Sequence, residues 1–178
     1  AILIQESGSK HLHQTALDRL MRIVQRGQSN ERVYFNLGML SMDSGEAERA
    51  EYWFRKAVAH KPDFRSALFN LALLLSESSS RALEAAPFLH QLQKYHPNHI
   101  KGLILLGDLY VNHLGDLRAA ERCYRKILQL EPDNVQGLHN LCVVMVEAGD
   151  MTQAHACLQE ARRLAPEEDY IARHLNIV

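Results

Sequence analysis

Three asparagines stand at one position of a recurring helical pattern: Asn36 in Phe35-Asn36-Leu37-Gly38, Asn70 in Phe69-Asn70-Leu71-Ala72 and Asn140 in His139-Asn140-Leu141-Cys142. Asparagine is a poor helix-interior residue because its amide competes for backbone groups, so its recurrence asks for a reason. The amide offers a donor and an acceptor together. That matches the C=O and N–H of an extended chain without reading its side chains. The alternative is that each amide bonds inside its own repeat.

Reaction chemistry finds no footing in the residues. There is no glycine-rich phosphate loop, and Gly102 and Gly107 have no strand before them. Neither HExxH, GxSxG nor a paired-cysteine metal pattern occurs. His11-x-His13 and His96-x-x-His99 have spacings that a metal could use. A plainer role fits the histidines better, since His60 and His96 fall at expected helix ends, where an imidazolium complements the exposed carbonyls. No acid/base pair separates from the scattered Asp and Glu. The sequence thus predicts no catalytic residue, no metal ligand and no cofactor. Cys123, Cys142 and Cys157 form no CxxC and read as small buried apolar side chains, with a Cys142–Cys157 pair inside one repeat as the alternative.

Composition narrows the partners. The 178 residues are 47% hydrophobic and 23% charged, with a formal net charge of -1. That balance leaves no electrostatic footprint for nucleic acid. The apolar runs Leu71–Leu75 and Leu103–Leu106 are far below the ~20 residues that a membrane span needs. The fragment is expected to be soluble. The chain starts at Ala1 and closes on an apolar helical pattern at Val178, which suggests a piece of a longer array.

The elements that carry the asparagines come from a four-fold repetition. Ala50-Phe54-Ala57-Pro62, Ala85-Leu89-Leu92-Pro97, Ala120-Tyr124-Ile127-Pro132 and Ala154-Leu158-Ala161-Pro166 place a small residue, a large one, another apolar one and a proline at one spacing. The prolines lie 35, 35 and 34 residues apart. A period in that range resembles the tetratricopeptide repeat, a helix-turn-helix unit that stacks into a solenoid. Numbered so that the proline is position 32, full units span 31–64, 65–99, 100–134 and 135–168. They are preceded by a partial unit over 1–30 and followed by a terminal helix over 169–178. The fold class predicted is all-α, a right-handed superhelical solenoid forming one array. Gly38, Ala72, Gly107 and Cys142 fill the small position 8, where two helices must approach closely. In the partial unit, Ala1 to Glu6 and His11 to Arg26 read as two separate helices. The single extra residue of the second and third units is expected within 76–80 and 112–116, with turns near Ser44-Gly45, Ser78–Ser80, Gly115 and Gly149.

In tetratricopeptide stacks the first helix of each unit lines the concave surface through positions 2, 5, 6, 9, 12 and 13. Carried over here, these positions hold Phe35, Phe69, His139, Met39 and Asp108 beside Asn36, Asn70 and Asn140. Together they form a candidate peptide-binding groove bordered by Asp43, Glu77, Asp108 and Glu147. The alternative is packing between neighbouring first helices. The asparagines resemble the ladder inside the repeat superhelix of the nucleocytoplasmic O-linked N-acetylglucosamine transferase, although Leu105 interrupts it. Positions 5 and 6 lack the basic clamps of chaperone-tail-binding repeats, and Lys101 at position 2 is the only basic candidate.

More specific strings run from Arg65 to Leu74 (RSALFNLALL), His99 to Asp108 (HIKGLILLGD), Asn134 to Val144 (NVQGLHNLCVV) and Arg173 to Val178 (RHLNIV). They are similar to the C-terminal repeats of the transmembrane and tetratricopeptide-containing O-mannosyltransferases that act on cadherins. The resemblance implies a parent enzyme of the endoplasmic-reticulum membrane that moves mannose from dolichyl-phosphate mannose to Ser or Thr. This chain would be its lumenal repeat domain, without catalytic residues, receiving a cadherin-like acceptor protein in the concave groove. The oxidising lumen asks that the cysteines be buried and inert. A free-standing cytoplasmic adaptor with the same fold is the competing reading.

Overall fold

The computed structural model describes the backbone of residues 2–176 and the side chains of residues 12–176. It contains helices α1 (Ile2–Gln25), α2 (Glu31–Asp43), α3 (Ala47–His60), α4 (Arg65–Ser76), α5 (Ala86–Tyr95), α6 (Ile100–Leu109), α7 (Leu117–Leu130), α8 (Val135–Glu147), α9 (Met151–Leu164) and α10 (Asp169–Leu175), with no strand among the described residues. Each helix packs on its neighbours in sequence, and α4 also reaches α6 across the stack. A core spread along the molecule is the consequence, as in any solenoid.

The repeating residues perform the packing their spacing implies. Ala50, Phe54 and Ala57 of α3 and Ala120, Tyr124 and Ile127 of α7 are buried against the first helix of their own unit. A Cβ placed on Gly38 would lie 2.5 Å from the Phe54 ring, and one on Gly107 would lie 2.6 Å from the Tyr124 ring. The absent side chain is what lets an aromatic ring lie flat on the facing helix. Two further close approaches are not evident from the repeat pattern. Gly102 and Gly137, at position 3, leave room for Leu92 and Ile127 of the preceding unit, with hypothetical Cβ contacts of 2.6 and 2.8 Å.

Helix starts follow capping chemistry. Asn30 accepts from the N–H groups of Arg32 and Val33, Asn134 from Gly137, Asp116 from Ala119 and Asp150 from Gln153, and His99 Nδ1 accepts from Gly102. Each satisfies an N–H that the first turn leaves without an intrahelical partner.

Helix ends follow the prolines. The residues before them, Lys61, His96, Glu131 and Ala165, all have φ between -137° and -133° with ψ of 68–96°. Proline disfavours helical backbone at the residue before it, so the helix stops one step ahead of the ring instead of being broken by it.

The two extra residues are absorbed differently. In the second unit the chain crosses 77–81 as a loop and re-enters through a 3-10 turn at Ala82–Ala85, before Pro87 opens α5. In the third, α6 runs into a π-helical turn at Tyr110–Leu114, whose carbonyl at Tyr110 accepts from Gly115 and Asp116. A π turn holds one residue more than an α turn, so the insertion costs no break. Gly115 then reverses the chain at φ 64°, a left-handed value at which a Cβ would be strained.

Two expectations are corrected. The N-terminal segment is one continuous helix, Ile2–Gln25, not separate helices at 1–6 and 11–26; Ala1 lies outside the described residues. Ser7-Gly8-Ser9 carries no proline to stop a helix, and propagating an existing helix adds one hydrogen bond per residue without a new nucleus. The cysteines are not three isolated thiols. Cys142 and Cys157 form a disulfide with Cα atoms 5.5 Å apart, joining α8 to α9, while Cys123 is free and buried. Cys142 sits at the small position and Cys157 opposite it. Close approach of the helix pair, which glycine serves in other units, here brings two sulfurs together.

Candidate functional site

First helices divide their residues between two faces. In α4, Ala67, Leu68, Leu71, Ala72 and Leu75 are buried, and in α6 Gly102, Leu103, Leu106 and Gly107 are buried. The intervening Phe69, Leu73, Ile104, Leu105 and Asp108 are half-buried. A helical period of 3.6 makes this split unavoidable once the core positions are fixed.

Between these helices lies an open depression of about 270 Å³, lined by Phe69 and Leu73 of α4, Lys101, Ile104, Leu105 and Asp108 of α6, and Gln136 of α8. Three successive first helices meet there, at positions 2, 5, 6 and 9. A smaller hollow of about 120 Å³ adjoins it through Leu105 and Asp108 and reaches Ser76, Leu109, Asn112 and His113. The arrangement is an apolar floor with a carboxylate between two hollows. It suits binding of a chain, and the Ser76 hydroxyl of the smaller hollow donates to the Leu73 carbonyl.

Asp108 is the pivot. Its Oδ1 accepts from the Tyr124 hydroxyl at 2.6 Å and from Asn140 Nδ2 at 3.0 Å. Three helices of two units, α6, α7 and α8, are therefore tied at one oxygen. Burial raises the pKa of Asp108, with the Tyr124 hydrogen bond opposing the rise. Burial and the neighbouring carboxylate push the Tyr124 hydroxyl far up, so it stays a donor. Removing it should be felt. Tyr124→Phe leaves Asp108 with one donor, and a hydrogen bond to a charged group is worth about 1.5–3 kcal/mol. The loss should appear in urea unfolding at neutral pH and shrink as pH falls through the raised native pKa of Asp108, above the 3.8 of an unfolded aspartate. The Tyr124 bond favours the charged carboxylate, so its removal raises the native pKa further and the difference widens as pH climbs through that range. A pH-independent difference would remove Asp108 from the account.

The candidate residues from the sequence are distributed as follows. Phe69 and Asp108 share the larger depression, and Phe69 also faces the His99 ring at 5.1 Å. Asn36 is exposed on α2. Asn70 donates to the Ser66 carbonyl at 2.8 Å, and Asn140 donates to Asp108. The three amides are thus not equivalent. Two have an N–H engaged because a backbone carbonyl or a carboxylate lies within reach. Phe35 packs at 5.7 Å from Phe54 and 5.5 Å from Phe64, closing the junction of α2, α3 and α4. Met39 is half-buried against the same core. His139 meets His174 at 2.9 Å and the Tyr170 ring edge-on at 4.8 Å. It belongs to the α8–α10 contact, and its pKa is lowered by burial and by His174.

The repeat consensus conceals the Asp108–Tyr124–Asn140 tie. Its signal was available by comparing units: only the third has a carboxylate at position 9 together with a hydroxyl-bearing ring at position 24. No group of three or more His, Cys, Asp or Glu side chains that could hold a metal ion occurs among the described residues, and none of the described helices is long and apolar enough to cross a membrane.

Known proteins agree with this geometry. Tetratricopeptide repeat family models match residues 31–64 and 113–173. A MamA structure from Desulfovibrio magneticus RS-1 superposes with TM-score 0.76 at 19% identity, covering 93% of this chain and 92% of that one. A tetratricopeptide repeat protein from Parabacteroides merdae gives 0.76 at 17%, covering 92% of this chain and 70% of that one. These likenesses establish the fold. Among curated proteins, the chain is 57% identical over 171 residues to Protein O-mannosyl-transferase Tmtc3 of Drosophila melanogaster, and 49% identical over 178 residues to TMTC3 of Homo sapiens. Those alignments cover 96% and 100% of this chain but 18% and 19% of the relatives, so the chain spans about a fifth of their length. Stacked hairpins, close-packed small positions and these matches place the chain in the tetratricopeptide repeat family, with a sequence shared along its length with the repeat region of the TMTC3 O-mannosyltransferases.

Proposed function

We propose that this chain is the acceptor-holding repeat region of a protein O-mannosyltransferase, and that its concave face positions the polypeptide to be modified. The observation that carries the reading is 49–57% identity to TMTC3 proteins over 96–100% of the chain. The parent would transfer mannose from dolichyl-phosphate mannose to Ser or Thr of cadherins, with the transfer chemistry in its membrane-embedded part. The repeats contribute no reacting group. A segment held beside the active site meets it at a high effective concentration, which raises the rate without new chemistry.

The parent would lie in the endoplasmic-reticulum membrane with these repeats in the lumen. The Cys142–Cys157 disulfide supports that side, because such bonds persist in oxidising compartments and are rare in the cytosol. Asn36, Phe69, Leu73 and Leu105 are the groove groups proposed to touch the acceptor, and Asn70 and Asn140 keep an amide oxygen to offer.

Gln136 is exposed at the edge of the larger depression, so Gln136→Trp should fill it without disturbing the core. In cells lacking the endogenous enzyme, full-length parent carrying this change should mannosylate a cadherin about tenfold more slowly, the scale of a lost tethering contact. Wild-type mannosylation by a folded Gln136→Trp parent would refute groove docking.

A further inference from the structure

The floor of the larger depression is apolar, and of the two charges that line it Lys101 is exposed, where solvent screens it, whereas Asp108 is half-buried. Asp108 Oδ1 accepts two hydrogen bonds, both from neutral groups, and Oδ2 receives no donor from the described residues. Among the described residues no cation pairs with Asp108. The rim repeats the pattern. Asp43 closes α2, Glu77 caps α4 and Glu147 closes α8, each at position 13 of its unit, and none of them makes an ion pair among the described residues. An acid at a helix C-terminus is unfavourable, because the free carbonyls there already carry negative partial charge. Several acids of the second helices have partners instead: Glu51 pairs with Arg81 and Arg55, Glu121 with Arg125 and Glu160 with Arg163. The position-13 acids of three first helices are thus left without a compensating charge among the described residues.

We infer that the segment held in this groove is an extended polypeptide that lodges a large apolar side chain against Phe69, Leu73, Ile104 and Leu105 and brings a lysine or arginine beside it to Asp108 and Glu77. The inference rests on the docking reading above and names the chemistry of the occupant. Asp108 stands between the two hollows, and Ser76, the residue before Glu77, lines the smaller one with it. A basic side chain entering from the apolar hollow meets Asp108 first, with Glu77 next to Ser76 beyond it. An acidic segment would face an uncompensated half-buried carboxylate, and discrimination by such like-charge contact is how charged surfaces reject wrong partners.

The test uses fluorescein-labelled peptides, identical except for Arg, Gln or Glu next but one to a single Leu, titrated into the chain and followed by anisotropy. The Arg peptide should bind about tenfold tighter than the Glu peptide, as expected for a partly desolvated charge contact. Asp108→Asn retains the oxygen that Tyr124 and Asn140 use, and it should reduce that preference to about threefold or less. Glu77→Gln lies on an exposed loop that cannot unfold the stack, and it should weaken the Arg peptide alone. Equal affinity for all three peptides, each weakened by Gln136→Trp, overturns the charge preference and leaves docking intact. Binding indifferent to Gln136→Trp, or no binding at all, removes the docking reading and this inference with it.

Discussion

Gly107→Leu is expected to unfold the third repeat. Any Cβ at this position enters the Tyr124 ring at 2.6 Å, and Tyr124 is only 1% exposed and anchored to Asp108 through its hydroxyl. The ring has nowhere to go. Replacing glycine inside a helix returns about 0.8–1 kcal/mol of propensity. Overpacking a filled core costs about 1–3 kcal/mol, more where backbone must shift. A whole isobutyl group against an immobile ring belongs at the upper end, so the sum is destabilising by about 2 kcal/mol or more. For a chain of this size that lowers the melting temperature by about 4–8 °C. The damage should be local first, because each unit of a solenoid is stabilised mainly by its neighbours. Hydrogen exchange should report α6, α7 and the facing edge of α8, with α2 and α3 protected as before. Calorimetry is the simplest check, and wild-type-like melting would show that the α6–α7 contact is not limiting.

The second large effect concerns the disulfide. It closes a loop with a sequence separation of 15 between α8 and α9, for which the chain-entropy account gives about 3 kcal/mol. Reduction, or replacement of both cysteines by alanine, should therefore lower the transition of the last repeat and α10 while sparing the first two units. Cys142 is fully buried, and burial pushes the free Cys123 thiol up to about 11. A thiol at that pKa is almost entirely protonated at neutral pH and reacts slowly. Alkylation of the native protein should accordingly label little. After reductant, the half-buried Cys157 should label ahead of the other two. The same trapping applied in cells tests the compartment: an oxidised Cys142–Cys157 pair fits a lumenal array, and two free thiols would count against it. A fully reduced chain that melts like the oxidised one would show that packing alone holds the hairpin.

The large-scale fold was legible because a repeat writes the same packing problem four times. Pro62, Pro97, Pro132 and Pro166 and the small residues facing Phe54 and Tyr124 encode local constraints: backbone conformation before a proline, and volume at a helix contact. Such constraints act within one hairpin, so the sequence by itself determined the helices, their turns and their order. The continuous α1 marks the limit of that logic. A helix break with no proline and no partner helix has nothing local to enforce it.

Relations between units were decided by the tertiary structure. Whether Asn140 faces a ligand or Asp108 depends on how α8 is set against α6, a relation that no spacing within one unit specifies. Phe35 likewise meets Phe64, the residue that opens α4, and His139 meets His174 on α10, contacts set by how successive units stack. The Cys142–Cys157 bond depends on an approach of 5.5 Å that a sequence can permit but not measure. Periodicity fixes which face a side chain is on. Only the stacking of one unit on the next fixes what it meets there, because a long polar side chain takes whichever partner the neighbouring helix brings within about 3 Å.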